Sequence, residues 1–305
     1  GRYPLPSSVL MTAVTAVTAG CKEVWVASPR PTEVTMAAAY VAGADGLLAV
    51  GGAQAIAALA YGVGGVPPCD VIVGPGNMWV TAAKSLVAGL CAIDMLAGPS
   101  EVLVIADGSA NAKIIAADLL AQAEHDTEAR PILVCTDEGL IDEVNKELQE
   151  QLAVLPTAPV AREAVKKGFA VLCSDIDEAI AISNRVGPEH LEIQTEDADG
   201  VGKRCSNYGG LFVGELAAEV MGDYGAGPNH VLPTGGTSKY SGGLSVFNFI
   251  RIRTWMRIDD ATASQTLVQD AVALARLEGL EGHARAAECR LPPDGERDAK
   301  KARKS

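Results

Sequence analysis

Basic charge is in short supply in this chain. Its 25 Lys and Arg face 38 Asp and Glu, for a net charge of −13 over 305 residues. Neutralising a phosphate backbone needs a basic face, so nucleic acid is excluded as the main partner, while a small cationic substrate suits the balance. Long apolar runs are also missing. No stretch reaches the roughly 20 unbroken apolar residues of a membrane span, and no basic segment leads into a secretory apolar core. The expectation is a soluble, cytoplasmic protein with no membrane partner. The seven cysteines stand singly, with no Cys-x-x-Cys pair. That excludes a disulfide framework and points to a reducing compartment. Neither a G-x-G-x-x-G fingerprint nor a P-loop occurs, and no fixed-period repeat is found. Position 1 is Gly instead of Met, so an N-terminal part is expected to precede it, and organellar targeting stays open.

What is present is an alternation of helical and extended patterns. Residues 7–19, 32–42, 53–61 and 77–88 read as helices, and residues 23–27, 46–50 and 70–73 as short apolar strands between them. Strands apolar on both faces belong in parallel sheets covered by helices, so residues 1–98 are predicted to form a Rossmann-like α/β domain. A second α/β domain is predicted over 99–244, with strands at 102–106, 132–135, 169–172 and 210–214. Residues 245–290 read as a C-terminal helical segment. Residues 291–305, with Lys300, Lys301, Arg303 and Lys304 and no apolar anchor, read as a disordered basic tail.

Two polar turns follow predicted strands in the first domain, Gly51-Gly-Ala-Gln54 and Gly74-Pro-Gly-Asn77. Each opens a helix, where free N–H groups and the positive helix end face the carboxyl edge of a sheet. Either these are plain helix-start turns or they frame a cofactor, with the amides of Gln54 and Asn77 placed for a ribose or a nicotinamide carboxamide.

The chain has only four histidines, all in short polar or Gly/Pro-rich strings. Imidazole both binds divalent metal and moves protons near neutral pH, so a metal-assisted enzyme is the first hypothesis. Gln122 and His125 share one face at a helix end, either as two donors to one ion or as a polar turn complementing the helix dipole. Glu189-His190, between Gly187-Pro188 and an extended stretch, suits a proton acceptor beside a group that orients water. An ordinary loop-to-strand turn would look the same. Residues 221–234 form the densest string: Asp223 is a hard oxygen donor, and Gly222, Gly225 and Gly227 let the backbone pass close to a ligand before His230. Glu278 and His283 would face different directions on an ideal helix, although Gly279 and Gly282 can loosen it. Alone, they read as a surface patch.

Taken together, these strings resemble the histidinol dehydrogenase family. The resemblance is carried, in order, by Tyr3-Pro-Leu-Pro-Ser-Ser-Val-Leu-Met11, residues 51–62, Val73-Gly-Pro-Gly-Asn77, Ile93-Asp-Met-Leu-Ala-Gly-Pro-Ser-Glu101, Asp118-Leu-Leu-Ala-Gln-Ala-Glu-His125, Pro188-Glu-His-Leu-Glu192, residues 222–234 and Glu278-Gly-Leu-Glu-Gly-His-Ala284. It implies a zinc- and NAD-dependent oxidoreductase that converts L-histidinol through L-histidinaldehyde to L-histidine with two NAD, in histidine biosynthesis. By motif position it implies Gln122, His125, Asp223 and His283 as zinc ligands and Glu189 and His190 as the acid/base pair. Ser100, His230 and Glu278 would contact substrate beside Gln122, His125, His190, Asp223 and His283, while Gln54 and Asn77 would contact NAD. It also implies a homodimer with shared sites, the helical segment 245–290 completing the partner's pocket. The family's opening Tyr-x-Pro-Gly-Gly lies before residue 1. Related dehydrogenases keep the zinc residues but act on other small alcohols, so a paralogous zinc- and NAD-dependent dehydrogenase is the runner-up. An NAD-binding scaffold that had lost catalysis would be expected to lack one of these residues, and all are present.

Overall fold

Short apolar strands alternate with capped helices from the start of the chain. The structure, a computed structural model, describes residues 4–291. Tyr3 of the Tyr3–Met11 string and the basic tail with Lys300, Lys301, Arg303 and Lys304 lie outside the described residues. Helix α1 (Pro6–Thr18) opens on a proline, whose missing N–H costs nothing in a first turn. Strand β1 (Trp25–Ala27) follows, then α2 (Glu33–Val41), capped by the Thr32 hydroxyl, and β2 (Gly46–Leu48). Next come α3 (Gly52–Tyr61), β3 (Val71–Ile72), α4 (Met78–Val87) and β4 (Ala92–Ile93). β1 pairs parallel with β2, and β3 with β4, as two separate two-stranded sheets. The strands are shorter than the apolar stretches that announce them, and β4 is too short to show any period.

The larger sheet follows. β5 (Glu101–Ala106), α5 (Ala112–Ala123), β6 (Arg130–Cys135), α6 (Glu138–Val154), α7 (Ala158–Val165) and β7 (Phe169–Leu172) lead outward on one side. The chain then returns through α8 (Ile176–Val186), β8 (His190–Gln194), α9 (Ala198–Arg204), β9 (Gly210–Val213) and α10 (Glu219–Asp223). The strand order is β7-β6-β5-β8-β9, all parallel, so the topology reverses between β5 and β8. Every residue of β5 is buried. Val102, Val104 and Ala106 pack with Ile115 and Leu119 of α5, and Leu103 and Ile105 pack on the opposite face with Ile180, Leu191 and Ile193. Each such buried Val, Leu or Ile contributes about 1.5–3 kcal/mol. β8 departs from this pattern: its second face carries His190, Glu192 and Gln194, all buried although polar.

The carboxyl edge of this sheet is lined by acids that accept backbone N–H groups, three of them as helix caps. Asp137, Asp175 and Asp197 accept the N–H of Leu140, Glu178 and Gly200, and Asp107 accepts those of Ser109 and Glu196. Caps of this kind are worth about 1 kcal/mol each. They also place negative charge where an α/β fold would otherwise receive a phosphate. His190 opens β8 and Glu101 opens β5, so the chemistry-bearing residues sit at the opposite, amino edge.

The chain divides into two compact units at Arg251/Ile252. In the second, α11 (Gln265–Leu277) and α12 (Glu281–Glu288) pack through Val272, Ala275 and Ala284, and the chain turns between them at Gly279, whose φ is +76°. Before them, Ile252, Trp255 and Met256 are exposed in a stretch without regular structure. Among the described residues, no helix is long and apolar enough to cross a membrane.

Candidate active site

α8 ends on Gly187 at φ +64°, where an added Cβ would stand 2.8 Å from the Ser238 hydroxyl. Only glycine takes this left-handed turn cheaply, and it delivers Pro188, Glu189 and His190 directly into β8. Gly209 and Gly210 then donate to the carbonyls of Pro188 and Glu189 at 3.0 and 2.8 Å. A side chain at Gly209 would lie 2.6 Å from the Glu189 oxygen, so this approach also requires glycine.

One residue of the neighbouring strand holds both members of the pair. The Glu101 N–H donates to Glu189 Oε2 at 3.0 Å, and the Glu101 carbonyl lies 3.1 Å from His190 Nδ1. Gln122 Oε1 lies 3.1 Å from the same Nδ1. Two oxygen acceptors facing Nδ1 favour the tautomer with the proton there, which leaves Nε2 as the base. Nε2 is 3.8 Å from Glu219 Oε1. Burial lowers the pKa of His190 to about 4, helped by the nearby charges of His125 and His230 and opposed by the bond to the Glu101 carbonyl. Burial holds the Glu189 carboxyl well above the usual range, with the charges of Glu101 and Asp223 adding and the Glu101 N–H and Ser100 hydroxyl opposing. Neighbouring groups whose environments push them in opposite directions suit divided acid/base work. The Glu101 side chain completes the frame by accepting the Gly235 N–H at 2.9 Å, in the turn after His230.

His125, just past α5, meets Glu219 and Asp223, the first and last residues of α10. One donor atom from each lies within 4.8 Å of the others. His230 Nδ1 stands 3.5 Å from Asp223 Oδ1. The Glu219 N–H donates to Glu192 Oε1 at 2.9 Å, which ties the start of α10 to β8. Burial, then repulsion from Asp223, Glu192, Glu189 and Asp118, holds the Glu219 carboxyl well above the usual range. Burial likewise raises Asp223, against the pull of His230 and His125. Glu219 Oε2, Glu192 Oε2, Asp118 Oδ2 and Gln122 Nε2 are buried without a hydrogen-bond partner. Crowded carboxylates beside an imidazole, with orphaned oxygens among them, fit a divalent cation such as zinc.

Of the expected ligands, the structure brings His125 and Asp223 together. Gln122 lies at the same site with its oxygen turned to His190. His283 is exposed on α12 and Glu278 caps α11, both in the second unit. Sequence reasoning misses Glu219, Glu192 and Asp118. The available signal was complementary spacing: polar residues at 190, 192 and 194 of one strand, and at 118 and 122 of one helix.

In the first half of the chain, Gln54 is exposed in the opening turn of α3, just past β2. Asn77 caps α4 just past β3, its Oδ1 accepting the N–H of Trp79 and Val80 at 3.1 and 3.2 Å. Ser100 precedes β5, and its carbonyl accepts the Arg130 N–H at 3.0 Å.

A family model described as histidinol dehydrogenase matches residues 1–291. A histidinol dehydrogenase of Thermus thermophilus is 50% identical over 291 residues, covering 95% of this chain and 70% of the relative. One from Acinetobacter baylyi is 46% identical over 295 residues, covering 95% and 68%. The crystal structure of a histidinol dehydrogenase from Elizabethkingia anophelis superposes with a TM-score of 0.90 at 36% identity, covering 95% of this chain and 68% of that one. An acetylating aldehyde dehydrogenase from Geobacillus thermoglucosidasius, at 14% identity and a TM-score of 0.53 over 83% of this chain and 74% of its own, shares the fold alone.

Proposed function

Because this chain belongs to the histidinol dehydrogenase family, we propose that its buried site oxidises L-histidinol through L-histidinaldehyde to L-histidine, with two NAD accepting hydride and zinc at the metal cluster. The observation that carries this reading is a buried His190, its Nδ1 within 3.1 Å of two oxygen acceptors, at one site with the His125–Glu219–Asp223 cluster. The reading makes the protein a step of histidine biosynthesis and places it in the cytoplasm, where single cysteines stay reduced.

His125 and Asp223 would hold the metal, with Glu219 beside them, Gln122 turning its oxygen inward, and His283 supplied by the partner of a homodimer. Exposed Ile252, Trp255 and Met256 at the start of the second unit support that dimer. When bound, zinc supplies a Lewis acid that polarises and orients the amino alcohol. Ser100, His230 and the partner's Glu278 would complete the substrate pocket, and Gln54 and Asn77 would contact NAD.

His190 Nε2 takes the hydroxyl proton as the C–H bond breaks and its electron pair leaves as hydride, giving the aldehyde. In the second half, Glu189 takes a proton from the water that adds to the aldehyde carbon, and the hydrate then releases the second hydride. Glu189 must be ionised for that role. Burial alone favours its neutral form, so the step needs positive charge close by.

The test follows NADH formation with L-histidinol and a panel of small alcohols, with zinc added. Two NADH per L-histidinol are expected. NADH with another alcohol only would favour the paralogous dehydrogenase, and none with any alcohol would end the reading.

A further inference from the structure

One buried ion pair takes no part in the proton chemistry or in the metal cluster. Lys84 of α4 and Asp94, just past β4, are bonded to each other with side chains 3% and 0% exposed. Their other bonds go to backbone. Asp94 Oδ2 accepts the Gly74 N–H at 2.7 Å and Lys84 Nζ donates to the Gly74 carbonyl at 3.0 Å, so Gly74 is gripped on both sides of its Cα. Gly74 sits at φ +114° and begins the turn whose Pro75, Gly76 and Asn77 are exposed.

The same pair anchors the segment leading to the acid/base residues. Asp94 Oδ1 accepts the Met95 N–H at 2.7 Å, Thr81 donates to the Ala97 carbonyl at 3.0 Å, and the Gly98 N–H donates to Thr234 Oγ1. Three residues later, the Glu101 backbone holds Glu189 and His190. Asp94 is thus a fixed point common to the Gly74–Asn77 turn and to the strand that holds the pair.

A buried ion pair is seldom kept for stability, since apolar side chains of similar volume fill such a place as well or better. Apolar residues here would leave the Gly74 N–H and carbonyl without these partners. We propose that Lys84 and Asp94 are positioning residues that hold the Gly74–Asn77 turn in register with Glu189 and His190; the inference rests on the reading of that turn as an NAD contact. Neither side chain touches substrate or exchanges a proton with it.

The test compares Lys84→Met, Asp94→Asn and the charge-balanced double substitution with the parent chain. KM for NAD is expected to rise about tenfold or more in each, because small misplacements remote from the chemistry are costly. KM for L-histidinol and zinc content should stay within about twofold. The double variant should regain much of the thermal midpoint lost by either single one, but not the KM for NAD, because the Gly74 carbonyl stays unheld. A folded variant with the parent's KM for NAD would overturn the proposal, as would equal rises in both KM values. Hydrogen exchange on the unaltered chain needs no variant: the Gly74 amide should exchange slowly and gain further protection with NAD, and fast exchange would refute the grip. NADH fluorescence titration separates the two ways of failing. No binding by the parent sinks the functional reading, whereas equal binding by parent and variants sinks this inference alone.

Discussion

His190 presents Nδ1 to two oxygens, the Glu101 carbonyl and the Gln122 amide, so any proton it accepts must arrive at Nε2. Asparagine at this position can keep a donor near those oxygens but offers no base. His190→Asn is expected to lower turnover by about 10²–10⁴-fold with little change in KM, measured as initial rates of NADH formation. The same burial makes stability depend on pH. The folded-state pKa of about 4 lies below the ordinary 6.5, so between these values the unfolded chain binds a proton that the folded chain refuses. The contribution is fully present above about pH 6.5 and is lost as pH falls toward about 4, a difference of about 3 kcal/mol. Urea unfolding of chelator-treated protein at pH 7 and pH 4.5 should show that loss in the parent and a clearly smaller one in His190→Asn. Equal losses would mean the ring is not buried neutral.

Single elements carry the next level of control, and here the sequence was only partly legible. The strings around Gln122, Glu189-His190 and residues 221–234 could be found because polar residues, Gly and Pro crowd into a few positions. Glu219 could not, being one among 38 acidic residues, and Glu192 and Asp118 showed only as polar spacing along one strand and one helix. Alternation in His190-Leu-Glu-Ile-Gln194 normally means one wet face. Here all five residues are buried, with Glu192 against Asp118 and His190 against Gln122. Two polar stripes met each other instead of water, and a one-strand pattern cannot show its partner. The two-residue strand β4 was unreadable for a simpler reason, since so short a run has no period. Glu219→Gln should weaken metal retention by about 10–100-fold in competition with a chelator, with the fold intact by circular dichroism. Gly187→Ala forces a Cβ into a left-handed turn and toward Ser238, and should cost about 1–2 kcal/mol by denaturant titration together with a fall in turnover. Unchanged stability would show that the α8–β8 corner can relax.

At the scale of the whole molecule, α/β alternation and parallel sheets were legible from apolar strands alone, because burial on both faces leaves no other layer. How the second unit is used was not legible in one chain. If the helical segment completes a neighbour's pocket, dilution to monomer should release zinc, read by sedimentation and metal analysis on the same samples. Ile252→Asp with Trp255→Ala should reach that state at higher concentration, and a monomeric variant that keeps its zinc would contradict shared sites. The acid-capped rim of the large sheet has a consequence for how such a protein can change over generations. The proposed acid/base pair stands at the beginnings of β5 and β8, so the capped loops past β5, β6, β7 and β8 carry none of the proposed site residues. An appendage grafted near Ser174, past the end of β7, should therefore be carried without loss of turnover, leaving that side of the molecule free to acquire new attachments.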